Sequence, residues 1–156
     1  MWVRLIGSLC LLGGCGWWAA GRTAADRSEV ARIQAAAELL TYVGREIAAY
    51  CLPLDEIAAA LPPELRRMCA VEDNSLHPAM EAMAARISDA ESAEILRRVA
   101  AHLGRGGCDE QVTLCRDAAQ ALAACAARLL AQCERRRRER RMLCVTGCLM
   151  IVILLW

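Results

Sequence analysis

Ten cysteines and two histidines are the side chains of this 156-residue chain best suited to hold a metal or attack a substrate, and their spacing speaks against both. The cysteines stand at positions 10, 15, 51, 69, 108, 115, 125, 133, 144 and 148 with no C-x-x-C pair, and His77 and His102 lie in separate segments. A zinc site needs ligand pairs that one turn can bring together, so no metal is expected. Four of the ten lie in the uncharged ends, and most of the rest fall where a helix would accept any small apolar residue, as structural thiols in a reducing cytoplasm. All 19 basic residues are Arg, so no lysine is present to grip a phosphate. G-x-x-x-x-G-K-[ST], G-x-S-x-G and H-E-x-x-H are absent, and the carboxylates recur at the spacing of a solvated helix face. Gly104, Gly106 and Gly107 follow a helical pattern and not a strand, which makes them a turn and not a nucleotide loop. No catalytic or cofactor-binding residue is expected, and the chain reads as a non-enzyme.

Charge is distributed unevenly. From Arg22 to Glu134 twelve Arg oppose seventeen Asp and Glu, whereas Arg135 to Arg141 holds six Arg and one Glu. An acidic stretch therefore ends in a basic collar, a composition suited to anionic lipid headgroups, with Arg22, Arg135, Arg136, Arg137, Arg138, Arg140 and Arg141 expected at a membrane interface. Nucleic acid is not an expected partner. Its recognition needs basic residues spread over a folded surface beside base-reading side chains, and the collar is a single run.

The two ends are the uncharged parts of the chain. Leu5 to Gly21 and Met142 to Trp156 carry no ionisable side chain except cysteines, and Trp2, Trp17, Trp18 and Trp156 stand near their limits, as interfacial tryptophans do. The first end also has the form of a signal peptide, and Leu12, Gly13, Gly14, Cys15 resembles a lipobox whose cysteine would carry lipid. Arginines weigh against export: Arg22 and Arg27 follow the first run and the collar precedes the second, against Arg4 alone outside, which keeps the middle cytoplasmic and both termini on the far side. The runs are short. At 1.5 Å per residue they give about 22 and 26 Å, less than the roughly 30 Å hydrocarbon core, so the spans depend on snorkelling arginines and inner-flank residues.

Between the ends the apolar period is helical throughout. Val30, Ile33, Ala37, Leu40, Gly44 and Ile47 recur every three or four residues and predict a helix from about Asp26 to Ala49, ending before Pro53. A short helix at Asp55 and Glu56, another from Pro63 to about Ala70, and a loop at 71–77 follow. Leu76, Met80, Met83 and Ile87 mark the next helix, and Ser88 with Glu91 has capping-box spacing for one carrying Ile95, Leu96, Val99 and Leu103. His102, in its last turn, suits the helix dipole better than catalysis. Beyond the glycines, Val112, Cys115, Ala119, Leu122, Ala126, Leu129 and Cys133 form a stripe of small residues, and the absence of Pro or Gly from Cys108 to Thr146 predicts one long helix running through the collar into the second end. The prediction is an all-α small antiparallel bundle flanked by an N-terminal and a C-terminal transmembrane helix: 1–25 the first span, 26–134 a cytoplasmic helical domain, 135–141 the collar and 142–156 the second span.

The chain resembles the stage III sporulation protein AB family of endospore formers. Arg4, Leu5, Ile6, Gly7 match its first-span start, Glu46, Ile47, Pro53, Leu54 and Glu56 its E-I…P-L-x-E segment, and Leu103, Gly104 and Gln111 its L-G…Q turn. The family's Ser and Asp after that turn are Gly106 and Gly107 here, so a polar cap is lost or shifted to Asp109, and its Tyr-Gly pair before the proline falls on Ala49 and Tyr50. The resemblance implies a cytoplasmic domain similar to platform protein F of type II secretion systems, and a subunit of the channel complex between mother cell and forespore. It also implies docking to the secretion-type ATPase of the same operon, stage III sporulation protein AA, beside other stage III channel membrane proteins. Glu46, Gly104, Asp109 and Gln111 are the candidate contact residues. A platform protein of a type II secretion or type IV pilus system, and a lipoprotein anchored through Cys15, are the alternatives.

Overall fold

The computed structural model describes residues 2–71 and 75–155, with side chains over 24–71 and 75–140 and at a few positions beyond. It is all-helical, in the order α1 Trp2–Tyr50, α2 Leu54–Ala59, α3 Pro63–Met68, α4 Leu76–Arg86, α5 Ala90–His102 and α6 Cys108–Leu155. No strand occurs among the described residues. The chain forms two compact units, Met1–Ser28 with Leu129–Trp156, and Glu29–Arg128.

In the first unit only the ends of α1 and α6 take part. α1 continues without a break across residue 25, and α6 passes through the collar to Leu155. Burial first, and then the Asp26 carboxylate, push the Cys133 thiol up against the opposing effect of Arg136 and Arg140. Among the described residues no helix is long and apolar enough to cross a membrane. The expected flanking transmembrane helices fall largely on side chains outside the described residues, as do Cys15 and the lipobox reading. The physical obstacle is length, since the arginines reach position 141 and leave only the last 15 residues apolar.

The second unit owns the core. Val30, Ile33, Ala37, Leu40 and Ile47 of the expected stripe are buried, and Leu39 and Val43 beside them widen the apolar face of α1. α6 contributes Cys115, Ala119, Leu122 and Ala126, while Met80, Met83, Leu96 and Val99 enter from α4 and α5, which pack on each other. Small residues bring α1 and α6 close: a Cβ on Gly44 would lie 3.0 Å from Cys115 Cβ.

Two helix ends carry non-glycine residues in left-handed backbone, where a side chain costs roughly 1–2 kcal/mol. Cys51 ends α1 at φ 46° and Ala70 ends α3 at φ 50°. The special turn position before Pro53 is thus Cys51, one residue beyond the Ala49–Tyr50 pair singled out by the sequence pattern, because the residue following the last helical one takes the reversal. At α3, Val71 N–H donates to Arg66 O at 3.1 Å and Ala70 N–H to Arg67 O at 3.3 Å, a Schellman closure. Ala70→Gly removes the steric cost and is expected to raise stability by about 0.5–1 kcal/mol in urea unfolding followed by helical circular dichroism.

The cap of α5 is one residue later than the Ser88 and Glu91 spacing predicts. Asp89 is the N-cap, accepting from Ser92 N–H at 3.0 Å and from its hydroxyl at 2.6 Å. Ser88 N–H and Asp89 N–H donate to Glu29 Oε1 from α1, and Glu91 pairs with Arg128 of α6 at 2.7 Å. Tertiary partners therefore absorb the side chains that a local box would have used. The Ser92 hydroxyl, then its N–H, and Arg128 hold the Asp89 carboxyl below its usual range against the opposing effect of burial. A lowered carboxylate stabilises the fold above its unfolded pKa of about 3.9 and ceases to do so as pH falls through the lower folded value. Asp89→Ala is expected to cost about 1 kcal/mol at neutral pH. The gap to wild type in thermal unfolding should close below about pH 4.

Candidate functional site

Three of the four sequence-predicted contact residues, Gly104, Asp109 and Gln111, meet at the turn between α5 and α6. Leu103 N–H donates to Val99 O, and Arg105 N–H closes on His102 O at 3.0 Å. With Gly104 at φ 84° the four residues from His102 to Arg105 have the form of a type II turn, whose third position needs a positive φ. A side chain at Gly104 would also press on Leu54 of α2, whose Cδ1 lies 3.1 Å from the Cβ position. Gln111 folds back across the turn: its side-chain amide donates to Gly106 O at 3.1 Å and its N–H to Gly107 O at 3.1 Å.

Asp109 and Glu110 stand in the first turn of α6, the favourable end of the helix dipole for acids. The Asp109 carbonyl accepts from the Thr113 hydroxyl at 2.9 Å, and its side chain belongs to an exposed residue. Glu46 lies near the end of α1, ion-paired to Arg45 at 3.3 Å, and the Arg45 guanidinium sits 5.2 Å from the centre of the Tyr42 ring. Gly104, Asp109 and Gln111 are thus brought together by one turn, while Glu46 is held within its own helix.

Beside the turn lies a shallow groove of about 240 Å³ lined by Arg98, His102, Arg105, Glu110, Gln111 and Leu114. Its basic residues come from the last turns of α5 and the turn itself, and all three are exposed. His102 Nδ1 lies 2.9 Å from Arg98 O, which anchors the imidazole to the end of its own helix, the place a dipole-favoured histidine takes. Arg98 and Arg105 form no ion pair with the described residues, so two guanidiniums face solvent next to a single carboxylate, Glu110. A groove of this kind can take carboxylates by charge-assisted hydrogen bonds. Neither Arg98 nor Arg105 stands out in the sequence, because scattered arginines read as solvated charge; the one signal is the place of Arg105 between Gly104 and Gly106. Among the described residues no group of three or more His, Cys, Asp or Glu is placed to hold a metal ion.

Of the collar, Arg135, Arg136, Arg137 and Arg138 are exposed, with Arg135 3.6 Å from Glu139, and Arg140 is half-buried. The side chains of Arg22 and Arg141 lie outside the described residues.

A family model described as stage III sporulation protein AB matches residues 4–156. The chain belongs to this family. Its match runs from Arg4 through the glycine turn to the last residue, so the groove and the collar are both within the family's extent. No curated protein and no solved structure matches the chain. Membership of the stage III sporulation protein AB family makes this a protein of sporulation stage III.

Proposed function

We propose that the chain is a non-enzymatic platform subunit of the stage III sporulation channel, which docks a cytoplasmic secretion-type ATPase through its helical unit and is held at a membrane by its apolar ends. The observation that carries this reading is a family match spanning helical unit, collar and ends alike. The groove beside the glycine turn supports it, because two guanidiniums with no ion pair among the described residues line one groove on a unit of net negative charge, an edge suited to an acidic partner segment. Gly104 and Gln111 shape that edge, Asp109 borders it, and Glu46 supplies a second contact from α1.

The membrane part of the proposal rests on composition. The apolar ends meet the bilayer, the collar with Arg22 sits at the anionic headgroups, and the helical unit lies in the mother-cell cytoplasm with a fold similar to that of platform protein F. The test is co-expression of the full chain with the ATPase encoded beside it, followed by detergent solubilisation and affinity capture. Stoichiometric recovery of the ATPase supports docking. Recovery of the chain alone, with both proteins folded and present, overturns it.

A further inference from the structure

We propose that Cys51 and Cys108 form a reversible intramolecular disulfide, a thiol-modification site that clips the end of α1 to the start of α6. The inference does not depend on the docking reading. Two contacts bracket the pair. On one side, Gly44 of α1 approaches Cys115 of α6, with 3.0 Å between the Gly44 Cβ position and Cys115 Cβ. Cys51 lies seven residues after Gly44, and Cys108 seven residues before Cys115. Seven residues are close to two helical turns, so two helices running in opposite directions keep the chain near these positions together, with Cys51 the first residue beyond the end of α1 and Cys108 the first residue of α6. On the other side, Leu54 touches the turn at Gly104, 3.1 Å from its Cβ position. The backbone thus holds 51–54 against 104–108 from both directions.

The chemistry is selective for this pair. Cys51 and Cys108 are the two exposed thiols among the described residues, whereas Cys69, Cys115 and Cys125 are buried. Burial pushes the Cys69 and Cys115 thiols up to about 11, where they hold little reactive thiolate at neutral pH. The neighbouring Cys108 side chain first, and then burial, push the Cys51 thiol up. The oxidant is a low-molecular-weight disulfide. One protein thiol loses its proton, and the thiolate attacks the disulfide to form a mixed disulfide and release one small thiolate. The second protein thiolate then attacks the sulfur of the first cysteine and releases the other small thiolate. The two protons leaving the protein thiols end on the two small thiols, so one disulfide is reduced as one is formed.

The full chain in detergent micelles, reduced and then treated with oxidised glutathione at neutral pH, provides the test. Tryptic mapping is expected to show the peptide 46–66 joined to the peptide 106–116 at a mass two hydrogens below their sum, reversed by dithiothreitol. The clip closes a long loop and should raise Tm by roughly 10 °C. Because 106–116 also contains Cys115, the linked species should persist in Cys115→Ala and vanish in Cys51→Ser and in Cys108→Ser. Linkage through Cys115, chain-to-chain crosslinks, or stable glutathione adducts on Cys51 and Cys108 without a link would each overturn the proposal.

Discussion

Gly44→Leu is expected to destabilise the helical unit by about 3 kcal/mol, by overpacking the α1 and α6 seam. The reason is distance. A Cβ at Gly44 would already stand 3.0 Å from Cys115 Cβ and 4.0 Å from the Val112 carbonyl oxygen, so the remaining leucine atoms have nowhere to go without separating the helices. Separation would uncover Leu40, Ile47 and Leu122, all buried at the same seam. Urea unfolding of the full chain in micelles, followed at a helical wavelength, measures the loss, and Tm should fall by roughly 12–20 °C. Gly44→Ala serves as the control. Its gain in helix propensity of about 1 kcal/mol offsets the tight contact, which leaves it near neutral. Combining Gly44→Leu with Cys115→Ala frees the space of the Sγ and should recover part of the loss, a coupling that a double-mutant cycle reads directly.

The second large effect is on association. If the proposed ATPase docks at this groove, reversing it in Arg98→Glu with Arg105→Glu is expected to weaken capture by at least about 100-fold, with helical content unchanged because both side chains are exposed. Each reversal replaces a charge-assisted hydrogen bond with like-charge repulsion. The wild-type interaction should weaken as salt is raised, since the charges lie at the surface and a Debye length near 8 Å applies at physiological ionic strength. Titration by microscale thermophoresis of the purified full chain provides the measurement. Unchanged affinity in the double variant would move docking away from the glycine turn, and loss of affinity on neutralising Arg135 to Arg138 instead would place it at the collar.

These effects depend on features that differ in how far the sequence shows them. The helices follow from local chemistry. The three-and-four spacing of Val30, Ile33, Ala37, Leu40 and Ile47 needs only the pitch of an α-helix to define a buried face, and those residues are buried. Gly104 after the α5 stripe needs only the freedom of glycine at positive φ to define a turn. The unbroken run from Cys108 likewise forms one helix to Leu155. Among the candidate contacts, Gly104, Asp109 and Gln111 are close in the chain, so one local turn collects them.

The exceptions involve partners far apart in sequence. Ser88 and Glu91 look like a capping box, yet Glu29 from α1 and Arg128 from α6 take over those roles and leave Asp89 as the cap. Cys51 ends α1 in left-handed backbone because the chain must turn toward Pro53 and α2. The sequence alone therefore determined the all-helical class, the turn and the collar, through periodicities that each helix expresses by itself. The tertiary structure alone decided which residues meet across helices: Gly44 with Cys115, Glu29 with Ser88, Glu91 with Arg128. The physical reason is that a helix presents the same faces in any register, and only packing against its neighbour selects one.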